Sequence, residues 1–258
     1  MSDKVLVRRD NAVLTLVMQN PRLRNAIDRE MANALRLAIE NCGEAMRVIV
    51  IAGADGAFCS GADITQLAGQ NLSAEQAVSV LLEAYHPLLR AIRAAPCPVI
   101  AAVDGSAAGI GCDLALACDM RLASERAQFA ELFVHVGLIP DGGGTWTLPR
   151  LVGLGRALEL MYTGATVGAT EAVQIGLANR VIASSQFEAE VMAFAQMLAA
   201  QAPNSLRRIR QAVYAAQEMT FEQALANEAG HQHAIFQTEE GFEGFHAFLE
   251  KRPPRWSS

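Results

Sequence analysis

Two stretches of this sequence hold residue types that could do chemistry. The first is Phe58-Cys59-Ser60-Gly61-Ala62-Asp63-Ile64. The second runs from Asp104 to Arg150 and holds Gly109-Ile110-Gly111, Asp113 and Asp141-Gly142-Gly143-Gly144. Glycine permits backbone conformations that let a ligand approach main-chain N–H groups. Two such groups aimed at one oxygen, with a carboxylate beside them, form a kit for making and reprotonating an enolate. In a dry site each preorganised donor stabilises the oxyanion by on the order of 3 kcal/mol. A single carboxylate in an apolar pocket can take a proton and return it elsewhere, because partial burial raises its pKa toward a useful range. Local grounds also fit other roles. Asp141 suits a helix N-cap before residues 142–152, and Gly105–Gly111 suits tight helix–strand packing. A dinucleotide fingerprint is not indicated, since the order G-x-G-x-x-G is absent.

Composition narrows the classes. The chain has 258 residues, of which 52% are hydrophobic, so a sizeable core can form. The formal net charge is −6 with no Lys/Arg run, which argues against nucleic-acid binding. The five cysteines (Cys42, Cys59, Cys97, Cys112, Cys118) are odd in number and make no C-x-x-C pair, so neither a disulfide framework nor a zinc site is indicated. His231 and His233 fall on different helix faces, which argues against a metal site. The first 20 residues lack a signal-peptide pattern, and no apolar run approaches a bilayer span. The expectation is a soluble cytoplasmic protein with no membrane partner.

The elements that must position these residues can be read from periodicity. Val5–Val7 and Val13–Val17 flank a polar turn, as in a β-hairpin. Asp28 precedes a helical pattern with Met31, Leu35, Ala38, Ile39 and Cys42 on one face, stopped by Gly43. Residues 48–52 and 99–103 read as buried strands, with a helix over about 75–94 between them. A small-residue helix is expected near Ala107–Leu116, a strand through Ala117–Leu122 and a short strand at Gln128-Phe129. From about Phe187 only helical patterns remain. Strands alternating with helices imply an α/β class. Residues 1–195 read as a strand–helix core and 196–258 as a helical appendage.

The two motif stretches resemble the crotonase superfamily, the enoyl-CoA hydratases and isomerases, and the resemblance runs over nearly the whole chain. Met161–Gly164 and Glu171–Leu177 resemble a structural signature of that family. The resemblance implies a spiral of ββα units with a helical C-terminal region that mediates trimerisation, so a homotrimer or a dimer of trimers is the expected self-association. It implies an acyl-CoA thioester substrate, with no separate cofactor because CoA is part of the substrate. It assigns the oxyanion-hole donors to the N–H groups of Ala62 and Ile110, where many members have glycine at the second. Arg24, Ala26 and the Ala62-Asp63-Ile64-Thr65 segment match positions lining the CoA path, and Lys251 matches a C-terminal position that can face CoA phosphates.

The carboxylates depart from the hydratase pattern. The first catalytic glutamate of typical hydratases aligns with Asp113, one methylene shorter, and the second aligns with Phe133. Glu131, two residues away, is not expected to take its place without a shift in backbone path. Asp141 resembles the acid–base aspartate of some family isomerases, including the ring-type isomerases of phenylacetate breakdown. The leading expectation is therefore an enoyl-CoA isomerase in which Asp141 shuttles the proton, Ala62 and Ile110 hold the oxygen and Phe133 walls the pocket. The alternative is a hydratase working with Asp113 and Asp141. A non-catalytic or RNA-binding relative is the remaining alternative.

Overall fold

A computed structural model describes residues 3–66 and 73–256. Its centre is a six-stranded sheet in the order β1 (Val5–Asp10), β2 (Val13–Met18), β3 (Val48–Gly53), β4 (Val99–Val103), β6 (Met120–Ser124), β9 (Arg180–Ile182). The first pair is the expected antiparallel hairpin, and every later pairing is parallel. A second, three-stranded sheet joins β5 (Ser106–Ala108), β7 (Gln128–Ala130) and β8 (Thr166–Gly168). The helices are α1 (Arg29–Glu40), α2 (Ala74–Val80), α3 (His86–Ala94), α4 (Ile110–Ala117), α5 (Gly144–Val152), α6 (Leu154–Thr163), α7 (Ala169–Gln174), α8 (Phe187–Ala199), α9 (Pro203–Ala216), α10 (Phe221–Phe236) and α11 (Glu239–Leu249).

Strand alternation builds two cores, one on each face of the large sheet. Leu14, Leu16, Ile49, Ile51, Val99, Ala101 and Val103 face the main core, which holds Met31, Leu35 and Ile39 of α1 and Leu88 and Ile92 of α3. Val13, Val48, Val50, Ile100 and Ala102 point the other way, onto Val191, Ala195 and Ala199 of α8. Residue 195, where the sequence reading ends the core, thus lies inside a helix that packs on the sheet.

Two local boundaries differ from the sequence reading. The expected single helix from Ala107 is a short strand followed, after Gly109, by α4, and the next strand begins at Met120. Small residues with weak preferences adopt the strand because Ala107 bridges Cys59 and β5 pairs with β7. The expected helix over 75–94 contains a π-helical turn at Leu81–Tyr85, which ends two residues before Pro87. Proline supplies no N–H to the preceding turn, and the widened turn accommodates it.

The C-terminal helices are tied to the core by polar contacts. Arg210 of α9 donates to Asp119 and to the carbonyls of Ile92, Arg93 and Ala95. Glu240 of α11, itself buried, accepts the N–H groups of Asn204 and Ser205 at the start of α9, both at 2.9 Å. Removing one member of this partly buried ion pair leaves the other charge uncompensated. Arg210→Ala should therefore lose about 3 kcal/mol of stability in urea unfolding, with the far-ultraviolet circular dichroism of the native state unchanged. A midpoint equal to wild type would show that apolar packing alone holds α9.

Candidate active site

The site begins with main-chain contacts between the two motif stretches. Cys59 N–H donates to the Ser106 carbonyl at 2.9 Å, and the Cys59 carbonyl accepts from Ala108 N–H at 2.9 Å. A Cβ at Gly61 would lie 3.2 Å from the Ala108 carbonyl oxygen, and a Cβ at Gly111 would overlap the Cys59 carbonyl. Gly61 also has φ +115°, a region open to glycine. On the other side, Ile27 N–H donates to Gly61 and Ile27 carbonyl accepts from Asp63, both at 2.8 Å. This pairing skips Ala62, whose N–H has no backbone partner among the described residues. Ile110 opens α4, and its N–H is one of the groups that no intrahelical carbonyl can reach. Both expected donors are thus unspent, on stretches locked side by side.

The Ile110 side chain is buried in the main core, and its Cδ1 fills the space where Gly142 has no Cβ. Phe133 is also buried and sits against Gly109. Ala26 is buried, while Arg24 has a left-handed φ of 50° and lies at the surface. Its carbonyl accepts Ser60 N–H at 3.0 Å, so the Arg24 backbone braces the first stretch. Asp63 Oδ1 accepts Thr65 N–H at 3.0 Å, and Ile64 and Thr65 are exposed. Lys251 is exposed past the end of α11. Among the described residues, no hydrogen bond or ion pair links it to this region. Its neighbour Arg252 is committed to Glu243 at 2.6 Å.

Three carboxylates meet at the start of α5. Asp113 is 1% exposed, and its Oδ2 accepts Gly142 N–H at 2.9 Å. Glu131 is 2% exposed. Among the described residues, Glu131 Oε1, Glu131 Oε2 and Asp113 Oδ1 have no hydrogen-bond partner of good geometry. A Cβ at Gly144 would overlap Asp113 Oδ1 and come within 3.3 Å of Glu131 Oε1, so both carboxylates border one gap. Asp141 is half-buried, and its backbone carbonyl receives Nε2 of His86 at 2.8 Å. Burial pushes Asp113 up from the usual carboxylate range, and the Gly142 N–H works against it. Burial pushes Glu131 up to about 7. Burial also raises Asp141, against the opposing effect of His86.

The expectation that Asp141 caps a helix is not met. The N-cap of α5 is Gly143, with φ 89° and no side-chain cap, so the Asp141 carboxylate is not used there. Three contributors escaped the sequence reading. Glu131 was set aside by alignment, yet its side chain turns inward beside Asp113. His86 lacks any motif, and only its place after the π turn brings it to Asp141. Asn25 is fully buried, and its Nδ2 donates to the carbonyls of Ala54 and Ala57, both at 2.8 Å, fixing the loop that leads into the first stretch. A separate cavity of about 410 Å³, lined by Arg93, Trp146, Arg150 and Tyr214, lies apart from these groups. Its one carboxylate, Asp119, is taken by Arg210 and Tyr214.

The family profile described as enoyl-CoA hydratase/isomerase matches residues 8–258. A Rhodobacter capsulatus protein named "Probable enoyl-CoA hydratase" is 39% identical over 246 residues, covering 95% of this chain and 94% of its own. The crotonyl-CoA hydratase of Syntrophomonas wolfei is 34% identical over 259 residues, covering 99% and 98%. Among solved structures, an enoyl-CoA hydratase from Bacillus anthracis superposes with a TM-score of 0.93 at 30% identity, covering 98% of this chain and 99% of that one. The chain belongs to the enoyl-CoA hydratase/isomerase family and has the crotonase fold.

Two outcomes test this geometry. In Gly111→Ala the first turn of α4 must move off Cys59. Turnover of an enoyl-CoA thioester, measured per folded molecule, should then fall on the order of 10²-fold, as for loss of one oxyanion donor. Because Glu131 has a folded pKa raised above its unfolded value, its burial favours the fold below the ordinary glutamate range. That contribution is lost as pH rises through about 7. Thermal unfolding should show a midpoint that falls across this window, and a flat profile would contradict the burial of an unpaired carboxyl.

Proposed function

We propose that the protein adds water reversibly across the double bond of a 2-enoyl-CoA thioester through an enolate. The observation that carries this reading is the Gly142 N–H bond to Asp113. It sets a second carboxyl one residue behind Asp141, beside the stretches bearing the two free N–H groups. Water addition uses two carboxyl groups, and the relatives described above are named hydratases. In this reading Asp141 takes a proton from water as its oxygen bonds to the β-carbon. The electron pair moves to the thioester oxygen, where the Ala62 and Ile110 N–H groups hold the charge. The α-carbon then gains the proton from the newly formed Asp141 carboxylic acid, while Asp113 holds Gly142 behind it. Arg24, Ala26 and Asp63–Thr65 border the CoA path, and Lys251 serves a neighbouring subunit. Ile209, Val213, Phe221, Phe245 and Phe248 are exposed on the C-terminal helices, which supports self-association, as a trimer or a dimer of trimers.

A second reading, double-bond migration by Asp141 alone as in ring-type isomerases, is favoured by one observation. Asp141 is half-buried, whereas Asp113 and Glu131 are sealed and Phe133 occupies the position of the second hydratase acid. The absorbance of the conjugated enoyl thioester separates the two. Hydration predicts that a 2-enoyl-CoA loses absorbance and gains the mass of water. Asp141→Asn should be slower by about 10²–10⁴-fold. A 3-enoyl-CoA gaining absorbance with no water-added product would replace hydration with isomerisation.

A further inference from the structure

The reading above employs two of the three carboxylates, and Glu131 is the third. It follows β7 and opens a 3-10 turn without capping it. Its Oε1 and Asp113 Oδ1 border the same gap beneath Gly144, and among the described residues neither has a hydrogen-bond partner of good geometry. The groups facing this gap can be named element by element. From α4 come Asp113 and the Cys112 thiol, which interacts with Glu131. From the start of α5 come Gly142 N–H and Asp141, and behind Asp141 stands His86 of α3. No lysine or arginine is recorded against the pair among the described residues.

Two buried carboxylates that border one gap without a cation resist being ionised together. An isolated buried charge with no donor is also strongly disfavoured. The two members differ in one respect: Asp113 Oδ2 receives the Gly142 backbone N–H just ahead of α5, whereas Glu131 meets only the weakly donating Cys112 thiol. The negative charge therefore belongs on Asp113 and the proton on Glu131.

We propose that Glu131 and Asp113 hold a single proton between them, and that Glu131 is thereby a positioning residue. Its carboxylic acid donates to Asp113 Oδ1 and keeps Asp113 anionic and correctly turned to hold Gly142 and hence Asp141. This rests on the Asp141-centred site proposed above, but not on which double-bond reaction the site performs.

The test combines variants with a spectrum that needs no substrate. Glutamine imitates a protonated glutamate that cannot ionise. Glu131→Gln should keep near-wild-type kcat at neutral pH and retain it at alkaline pH, where the wild type declines. Glu131→Ala should lose kcat roughly 10–100-fold across the range with KM little changed, as for loss of a hydrogen bond to a charged group. Infrared spectra taken in the Asp141→Asn protein, to remove the third carboxyl, should show a protonated-carboxyl band at neutral pH. That band should vanish when Glu131→Gln is added, because the remaining Asp113 is ionised. Absence of the band, or its persistence with Glu131→Gln, would overturn the shared proton. So would a Glu131→Gln protein as impaired as Glu131→Ala. If Glu131→Ala does not fold, Glu131→Gln and the infrared band decide. If the site catalyses neither reaction, the spectrum still stands and only the Asp141 reading fails.

Discussion

The structure turns on one main-chain crossing, where the Cys59 peptide meets the Ser106–Ala108 strand and the first turn of α4. The parallel strands β3 and β4 end side by side, so the loops that follow them leave at the same edge of the sheet. Ligands of open parallel sheets gather outside such carboxyl ends. Here the loops do more than neighbour each other. Cys59 satisfies its own N–H and carbonyl against Ser106 and Ala108. Peptides locked in this way leave the next N–H groups, at Ala62 and Ile110, oriented but unspent. A side chain at Gly111 would break the crossing, which is why a glycine that looks merely permissive in sequence is required by the packing.

Holding three carboxylates near this crossing costs stability, and other parts of the fold must offset it. The sheet is buried on both faces, by α1 and α3 on one side and α8 on the other, so the strands carrying the loops are rigid. Asn25 supplies a local brace: three of its polar contacts span Asn20, Ala54 and Ala57, adding to the packing of Phe58 in the core. The acid groups themselves lie where a helix begins and main-chain donors are available. That is the one end of a helix at which a buried negative charge meets a favourable partial charge.

Much of this was legible in the sequence. Strands β1 to β4, the Asp28-capped α1 and the helical tail follow from periodicity and capping residues, because each depends on neighbours a few positions away. The Asp28 cap accepts Met31 N–H as the spacing required. The donor positions and Asp141 came through resemblance, since a free N–H has no side-chain signature. What stayed hidden depends on distant contacts. Ser106–Ala108 is a strand only because Cys59 and β7 lie beside it. The burial of Glu131 beside Asp113 was not legible because alignment compares positions along a chain, whereas the inward turn of its side chain is decided by the path after β7. His86 gained its contact through the π turn before Pro87, a feature set by register within a helix rather than by residue type.

The start of α5 shows how one segment divides two demands on acidic residues. A helix N-terminus needs an acceptor for its free N–H groups, and an acid–base site needs a carboxylate that is not already bonded. Asp141 could have met the first demand and failed the second. Instead Gly143 takes the N-cap position in a left-handed conformation with no side-chain cap, and Asp113 of α4 receives the Gly142 N–H just before it. Glycine at 142 and 144 permits that approach, because a Cβ at either position would strike Asp113. The three glycines after Asp141 therefore do not mark flexibility. They let a buried carboxylate from α4 approach the backbone just ahead of α5, and the Asp141 carboxylate remains half-buried, raised in pKa and free to exchange a proton.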